Sequence, residues 1–220
     1  MKLGILGGTF NPIHVAHLAI AEEAKATCSL DRVLFLPAAD PPHKPVADEV
    51  PFSVRMAMVE VALTGHPSFA ASDLENRRRG KSYSVQTLRL LHQEYPEAEL
   101  FFIIGLDSFR DLASWRDYRQ LFALAHLVVV SRPDISKGNP RDLLPVAMRQ
   151  QFCYDSTSRK LLHDSGKTVI FCEETDLDIS STRIRRLVAA GQSVDHLVPP
   201  GVARFIATQH LYRKPQKRIP

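Results

Sequence analysis

Five short apolar segments alternate with amphipathic stretches along this chain. The segments are Lys2 to Leu6, Arg32 to Pro37, Glu99 to Gly105, His126 to Ser131 and Thr168 to Phe171. Between them, Val15 to Cys28, Phe52 to Gly65, Ser84 to Tyr95 and Trp115 to Ala125 carry apolar residues three to four apart, the period of a helix with one buried face. Strand and helix in alternation predict an α/β fold: a doubly wound, Rossmann-like parallel sheet with helices on both faces. In such sheets ligands bind outside the carboxyl ends of the strands. Gly7 to His17, Pro37 to Pro45, Gly105 to Trp115 and the segment before Ser180 are therefore the candidate site loops.

Residues 1–212 read as a single domain, with 182–212 as a small C-terminal helical part that ends in a helix near Val202 to Leu211. The basic, proline-bearing tail RKPQKRIP at 213–220 reads as disordered. Pro133 to Gly166 is polar and mixed, with a helix expected near Leu143 to Phe152, and reads as a lid or an insertion without chemistry of its own. A net charge of +4 favours anionic ligands, but no dense basic stripe argues for nucleic acid. Three cysteines, widely spaced, suit neither a disulfide framework nor a zinc site, so a reducing cytosol is expected. With no long apolar run and no signal core at the N-terminus, the expected location is cytoplasmic, away from any membrane.

The first loop puts Gly7, Gly8, Thr9 and Phe10 between a strand and a helix, where backbone N–H groups can face a phosphate. Neither GxGxxG nor GxxxxGK[ST] is present, so no dinucleotide fingerprint or Walker loop is claimed. His14 and His17 then stand three apart on the first helical turn and share a face. They read as a satisfied helix pair, as half a metal site, or as donors to charge growing on a phosphate. No third ligand stands at metal spacing, which favours the last. The second loop, LPAADPPHKP, carries His43 and Lys44, which by themselves read equally as solvated loop residues. The third, DISSTRIRRLVAAG, sets Ser180, Ser181 and Thr182 at a helix start with Arg185 one turn on. This is either an anion site or an N-cap beside a solvated basic face. Phosphate-type donors on three loops at one sheet edge strengthen the anion reading.

GGTFNPIHVAH resembles the (T/H)xGH-type signature of the nucleotidyltransferase superfamily, and ISSTRIR resembles its ISSTxIR partner motif. GGTFNPIH, LPAADPPHK, GKSYSVQTL, FFIIGLDSFRDLASW and DISSTRIR, in this order, resemble the bacterial nicotinate-nucleotide adenylyltransferases, and the likeness extends to HLVPPGVARFIATQHLY. The resemblance implies transfer of AMP from ATP to nicotinate mononucleotide, giving deamido-NAD and pyrophosphate. It implies that Gly8, Thr9 and Phe10 approach phosphates through the loop and that His14 and His17 sit at the reacting phosphorus. Lys44, Ser180, Ser181, Thr182 and Arg185 would hold the ATP phosphates, and Gly105 and Asp107 the adenosine ribose. Thr9, Asn11, Ser84, Trp115 and Arg116 would receive the mononucleotide, Trp115 stacking on the pyridine ring. Magnesium is expected to arrive on the ATP, with no protein metal site.

The chain departs from the family pattern in four places. Ala16 stands where glycine is most common, Asn11 where aspartate is, Ser84 where threonine is, and Arg116 where an aromatic is frequent. Arg116 would add a positive charge near the nicotinate carboxylate. The alternatives are the amide-form mononucleotide or pantetheine-phosphate adenylyltransferases and, outside enzymes, a nucleotide sensor on the same fold. The expected partners are small molecules, with a homo-oligomer left open.

Overall fold

The computed structural model describes residues 1–41, 50–78, 80–131, 140–173 and 179–213. Eight strands form one sheet: β1 (Lys2–Gly8), β2 (Arg32–Pro37), β3 (Phe69–Ala71), β4 (Glu99–Gly105), β5 (His126–Ser131), β6 (Phe152–Asp155), β7 (Lys160–His163) and β8 (Thr168–Glu173). Their order is β3-β2-β1-β4-β5-β8-β7-β6. The first six in that order are parallel, while β7 and β6 add an antiparallel hairpin on the far side of β8. The helices are α1 (Val15–Cys28), α2 (Phe52–Ala62), α3 (Ser84–Glu94), α4 (Leu106–Arg110), α5 (Tyr118–Leu124), α6 (Ser181–Ala189) and α7 (Pro200–Thr208).

Both faces of the sheet are covered, and the period of two along each central strand divides its side chains between them. Val33 and Phe35 of β2 join a core with α1, α2, α6 and α7; Leu34 and Leu36 join a second core with α3 and α5. A fully buried Leu or Phe contributes about 1.5–3 kcal/mol by leaving water, so a one-residue slip of β2 would exchange every contact on both sides.

Several elements differ from expectation. β1 runs on through Gly7 and Gly8, because they stay in register with Leu36 and Pro37 of β2. The expected helix over Leu143 to Phe152 is instead two 3-10 turns, Pro140–Leu143 and Val146–Gln151, followed by β6. Pro145 lies between the turns; lacking an N–H and clashing with the preceding turn, it breaks a continuous helix. The described part of the 133–166 segment thus becomes a sheet edge, packed through the buried Leu144, Met148, Phe152 and Leu161. α5 opens at Tyr118 instead of Trp115, after the left-handed Asp117 (φ 53°) ends the preceding turn. The last helix opens at Pro200, a residue suited to a first turn, and ends earlier than expected at Thr208. β3 and α4 were not expected; three and five residues are too short to show a period. Residues 214–220 lie outside the described residues.

Candidate active site

The strand order reverses between β1 and β4, and a cavity of about 330 Å³ opens there. The end of β1 with the Thr9 that follows it (Gly7 to Thr9) and the end of β4 (Ile103 to Gly105) form its floor. One wall comes from Glu75, Ser82, Tyr83, Ser84 and Thr87, another from Ser108, Trp115 and Arg116, and His17 faces the opening from α1. A doubly wound sheet offers its ligand crevice at this switch point, where neighbouring loops diverge.

The glycine loop is shaped from within. Phe10 adopts φ 48° and turns its side chain into the core at 1% exposure, so its ring does not reach the cavity. A Cβ at Gly8 would lie 3.1 Å from that ring, tight enough that only glycine fits without a shift. Asn11, expected at the mononucleotide, is 4% exposed, and its Oδ1 accepts from Tyr212 Oη at 2.7 Å. The carboxamide oxygen is thus spent on anchoring the C-terminal segment. Arg185 Nη1 donates to the Asn11 carbonyl at 2.8 Å, and Ser181 Oγ to the Pro12 carbonyl at 2.8 Å. Val15 N–H donates to the Leu197 carbonyl at 3.1 Å, so α6 and the chain before α7 clamp the histidine loop from outside the sheet.

The two histidines act as a unit. His14 is the N-cap of α1, 5% exposed, and its ring stacks on His17 with centroids 3.6 Å apart. Its backbone N–H donates to His17 Nδ1 at 3.2 Å. A ring nitrogen that accepts cannot carry the proton, so neutral His17 is the Nε2–H tautomer and offers that group as a donor. Burial lowers the His14 pKa to about 4. Burial, and secondarily the neighbouring His14, hold His17 well below the usual histidine range. Both rings are neutral at pH 7, and His14 Nδ1 is buried without a hydrogen-bond partner.

Unfolded His14 takes up a proton near pH 6.5, whereas the folded ring resists until about 4. The contribution is complete above pH 6.5 and is lost as the pH falls from there towards 4. Urea unfolding at pH 7 and pH 5 should show a loss of about 2 kcal/mol from this residue. His14→Asn should lose that much less over the same interval; equal losses would exclude the burial account.

Arg55, not singled out by the sequence, organises the floor. It is 2% exposed on α2 and donates through Nη1 to the Thr9 carbonyl (2.7 Å), Nη2 to the Ala38 carbonyl (2.8 Å) and Nε to the Val50 carbonyl (3.1 Å). A lone arginine within FSVRMAMVEVA was the available signal. Ser82, part of the GKSYSVQTL motif, has a bracing role that the sequence does not show: its Oγ accepts from the N–H groups of Ala39 and Asp40 at 3.1 and 3.2 Å, joining the loop after β2 to the entry of α3.

Of the residues expected from sequence, Gly8, Thr9, His17, Ser84, Gly105, Trp115 and Arg116 line the cavity. Trp115 is half-buried and meets Phe102 edge-on at 6.3 Å. The exposed Arg116 guanidinium lies 4.9 Å from the Tyr83 ring centroid, with Nε 3.8 Å from Asp117. Asp107 is exposed on α4, two residues beyond Gly105. Ser180 is the N-cap of α6, its Oγ accepting from Arg183 N–H at 3.2 Å, and Thr182 is exposed beside Arg185. Ala16 is buried and does not line the cavity. His43 and Lys44 lie outside the described residues. Among the described residues no three His, Cys, Asp or Glu side chains come together as a metal ligand set.

Residues 5–187 match the family described as Cytidylyltransferase-like. The chain is 58% identical over 217 residues to the "Probable nicotinate-nucleotide adenylyltransferase" of Syntrophotalea carbinolica, covering 99% of this chain and 100% of the relative. It is 53% identical over 212 residues to the protein of the same name in Geobacter sulfurreducens, covering 96% and 98%. Among solved structures, the Plasmodium falciparum nicotinic acid mononucleotide adenylyltransferase complexed with NaAD superposes with a TM-score of 0.72 at 16% identity, covering 96% of this chain and 97% of that one. The switch-point cavity with its glycine turn and paired histidines therefore stands in a chain that belongs to the Cytidylyltransferase-like family and, within it, to the nicotinate-nucleotide adenylyltransferases.

Proposed function

We propose that the chain transfers AMP from ATP to nicotinate mononucleotide through His17, held in its Nε2–H form where β1 and β4 part. The observation that carries this assignment is the hydrogen bond from His14 N–H to His17 Nδ1, which leaves a fixed donor beside the glycine turn. A phosphate oxygen of the mononucleotide bonds to the ATP α-phosphorus as the bond to the leaving pyrophosphate oxygen breaks. With a second phosphate pKa of about 6, the nucleophile is already largely dianionic at pH 7 and needs no strong base. Catalysis then rests on alignment and on donors placed where charge grows.

In this reading His17 donates to an α-phosphate oxygen and His14 supports its ring. Gly8 and Thr9 offer backbone N–H groups, with Phe10 fixing the turn from the core. Arg185, Ser180, Ser181 and Thr182 are assigned the outer phosphates, as is Lys44, all by their motifs. Gly105 and Asp107 are assigned the adenosine ribose, and Asn11 a scaffold role. Magnesium bound to ATP would neutralise phosphate charge, and we assign it to the ATP. We treat residues 1–212 as one domain, supported by the unbroken sheet. A cytoplasmic location is supported by cysteine usage, three residues widely spaced along the chain.

For the pyridine end, Trp115 is assigned the stacking face, and the first turn of α3, whose Ser84 lines the cavity, would offer backbone N–H groups to a carboxylate. Pyrophosphate release with ATP and magnesium tests the whole reading when nicotinate mononucleotide, nicotinamide mononucleotide and phosphopantetheine are compared at matched concentrations. The acid mononucleotide is expected to lead; preference for either other substrate would overturn the pocket assignment. Arg116→Ala should lower the acid-over-amide ratio by about three- to fivefold, the size of one exposed charge contact. An unchanged ratio would remove Arg116 from substrate selection.

A further inference from the structure

Glu75 has no place in the mechanism above, yet it is the one acidic side chain among the described residues that line the cavity. It is 7% exposed. Oε1 accepts from Thr87 Oγ1 at 2.7 Å, whereas Oε2 is buried without any hydrogen-bond partner. Arg78, three residues on, does not pair with it: Nη1 is directed to the Lys81 carbonyl at 2.7 Å and the Gln86 amide oxygen at 3.0 Å, while Nε and Nη2 are buried without partners among the described residues. A carboxylate oxygen withdrawn from water and left unpaired is costly, and one that lines a ligand cavity implies that the ligand supplies its partner.

Contacts place Glu75 at the pyridine end. Thr87 Oγ1 also lies 3.3 Å from the Tyr83 carbonyl, the Tyr83 ring packs under Arg116, and Arg116 follows Trp115. The ring of a pyridine mononucleotide is attached to ribose through its nitrogen and therefore carries a positive charge. Nicotinate mononucleotide thus presents a zwitterion at this end, a cationic ring bearing an anionic carboxylate. Arg116 and the first turn of α3 answer the carboxylate but oppose the ring charge. The floor beneath, with Leu88, Phe102 and Ile104, is apolar and answers neither.

We propose that Glu75 is a specificity-determining residue that supplies the counter-charge to the pyridinium ring, acting with the face of Trp115, which attracts cations through its π electrons. The inference rests on the mononucleotide reading of the cavity. It adds that the site selects a ring with a quaternary nitrogen over a neutral ring of the same shape. The role is electrostatic and independent of the Thr87 hydrogen bond, because Glu75→Gln keeps an oxygen acceptor for Thr87 and removes only the charge.

Two ligands test it: nicotinate mononucleotide, and the 3-carboxyphenyl C-riboside 5′-phosphate, which keeps the carboxylate, ribose and phosphate but has no ring charge. Trp115 is the only tryptophan in the chain, so its fluorescence reports binding at this end without turnover. In Glu75→Gln the affinity ratio of charged to neutral ring should fall by roughly tenfold, with the neutral ligand little affected. Thr87→Val, which breaks the hydrogen bond and keeps the carboxylate, should retain the wild-type ratio. The proposal is overturned if the Glu75→Gln ratio stays within threefold of wild type, whether both ligands weaken together or neither does. A fall of the same size in Thr87→Val would also overturn it, by assigning the effect to the architecture of the wall. Pyrophosphate release by the wild type, measured in parallel, decides the adenylyltransfer reading separately, because the ratio is read from binding alone.

Discussion

His17→Ala should lower the rate of pyrophosphate release by about 10²–10³-fold, the usual cost of removing one fixed donor from a growing phosphate charge. The loss should fall mainly on kcat, because the interaction strengthens in the transition state and contributes less to ground-state binding. The fold should survive. The substitution leaves the His14 N–H without its acceptor and His14 without a stacking partner, a penalty of about 1–2 kcal/mol that a domain of this size tolerates. Steady-state kinetics together with a urea melt separates the two effects. Turnover within about tenfold of wild type in a folded variant would remove His17 from the reacting centre.

Arg55→Met is the second large effect, and it falls first on stability. Three carbonyls, those of Thr9, Ala38 and Val50, would lose a charged donor while the apolar stem is approximately replaced. Leaving buried acceptors unpaired costs about 1–3 kcal/mol each, tempered by loop relaxation, so a total of about 3–5 kcal/mol is expected. At about 2–4 °C per kcal/mol for a chain of this length, the melting point should drop by about 10 °C or more. Activity at temperatures where the variant stays folded should also fall, because Thr9 and Ala38 line the cavity and Arg55 holds both loops from behind. Arg55→Lys should recover only part of the loss, since an ammonium cannot span three diverging carbonyls with a planar fork. A destabilisation below about 1 kcal/mol for Arg55→Met would mean that water replaces the arginine without difficulty.

These two residues mark the boundary between what was legible in the chain and what was not. His17 was legible because its signal is local: a strand, two glycines and a histidine pair within one helical turn. Arg55 acts through carbonyls 46, 17 and 5 residues away, and no periodicity carries that information. Glu75 is hidden in the same way, since an acidic residue in a turn reads as solvated until the packing around it is known.

The sequence by itself determined the alternation of strand and helix, the doubly wound class, the loops that gather at one sheet edge and the residue types suited to phosphate chemistry. Those properties follow from periods of two and 3.6 residues and from side-chain chemistry, both written in short windows. Tertiary structure alone decided which side chains of those loops face the cavity and which turn inward. Phe10 and Asn11 adjoin Gly8 and Thr9, yet they are buried, one under the Gly8 turn and the other bonded to Tyr212 across 201 residues of chain. It also decided that Arg185 braces the Asn11 carbonyl across 174 residues and that the 140–163 segment widens the sheet. The physical reason is common to all of these. Burying a polar group is tolerated only where a partner waits, and the partner is supplied by whichever distant segment the packed sheet brings alongside.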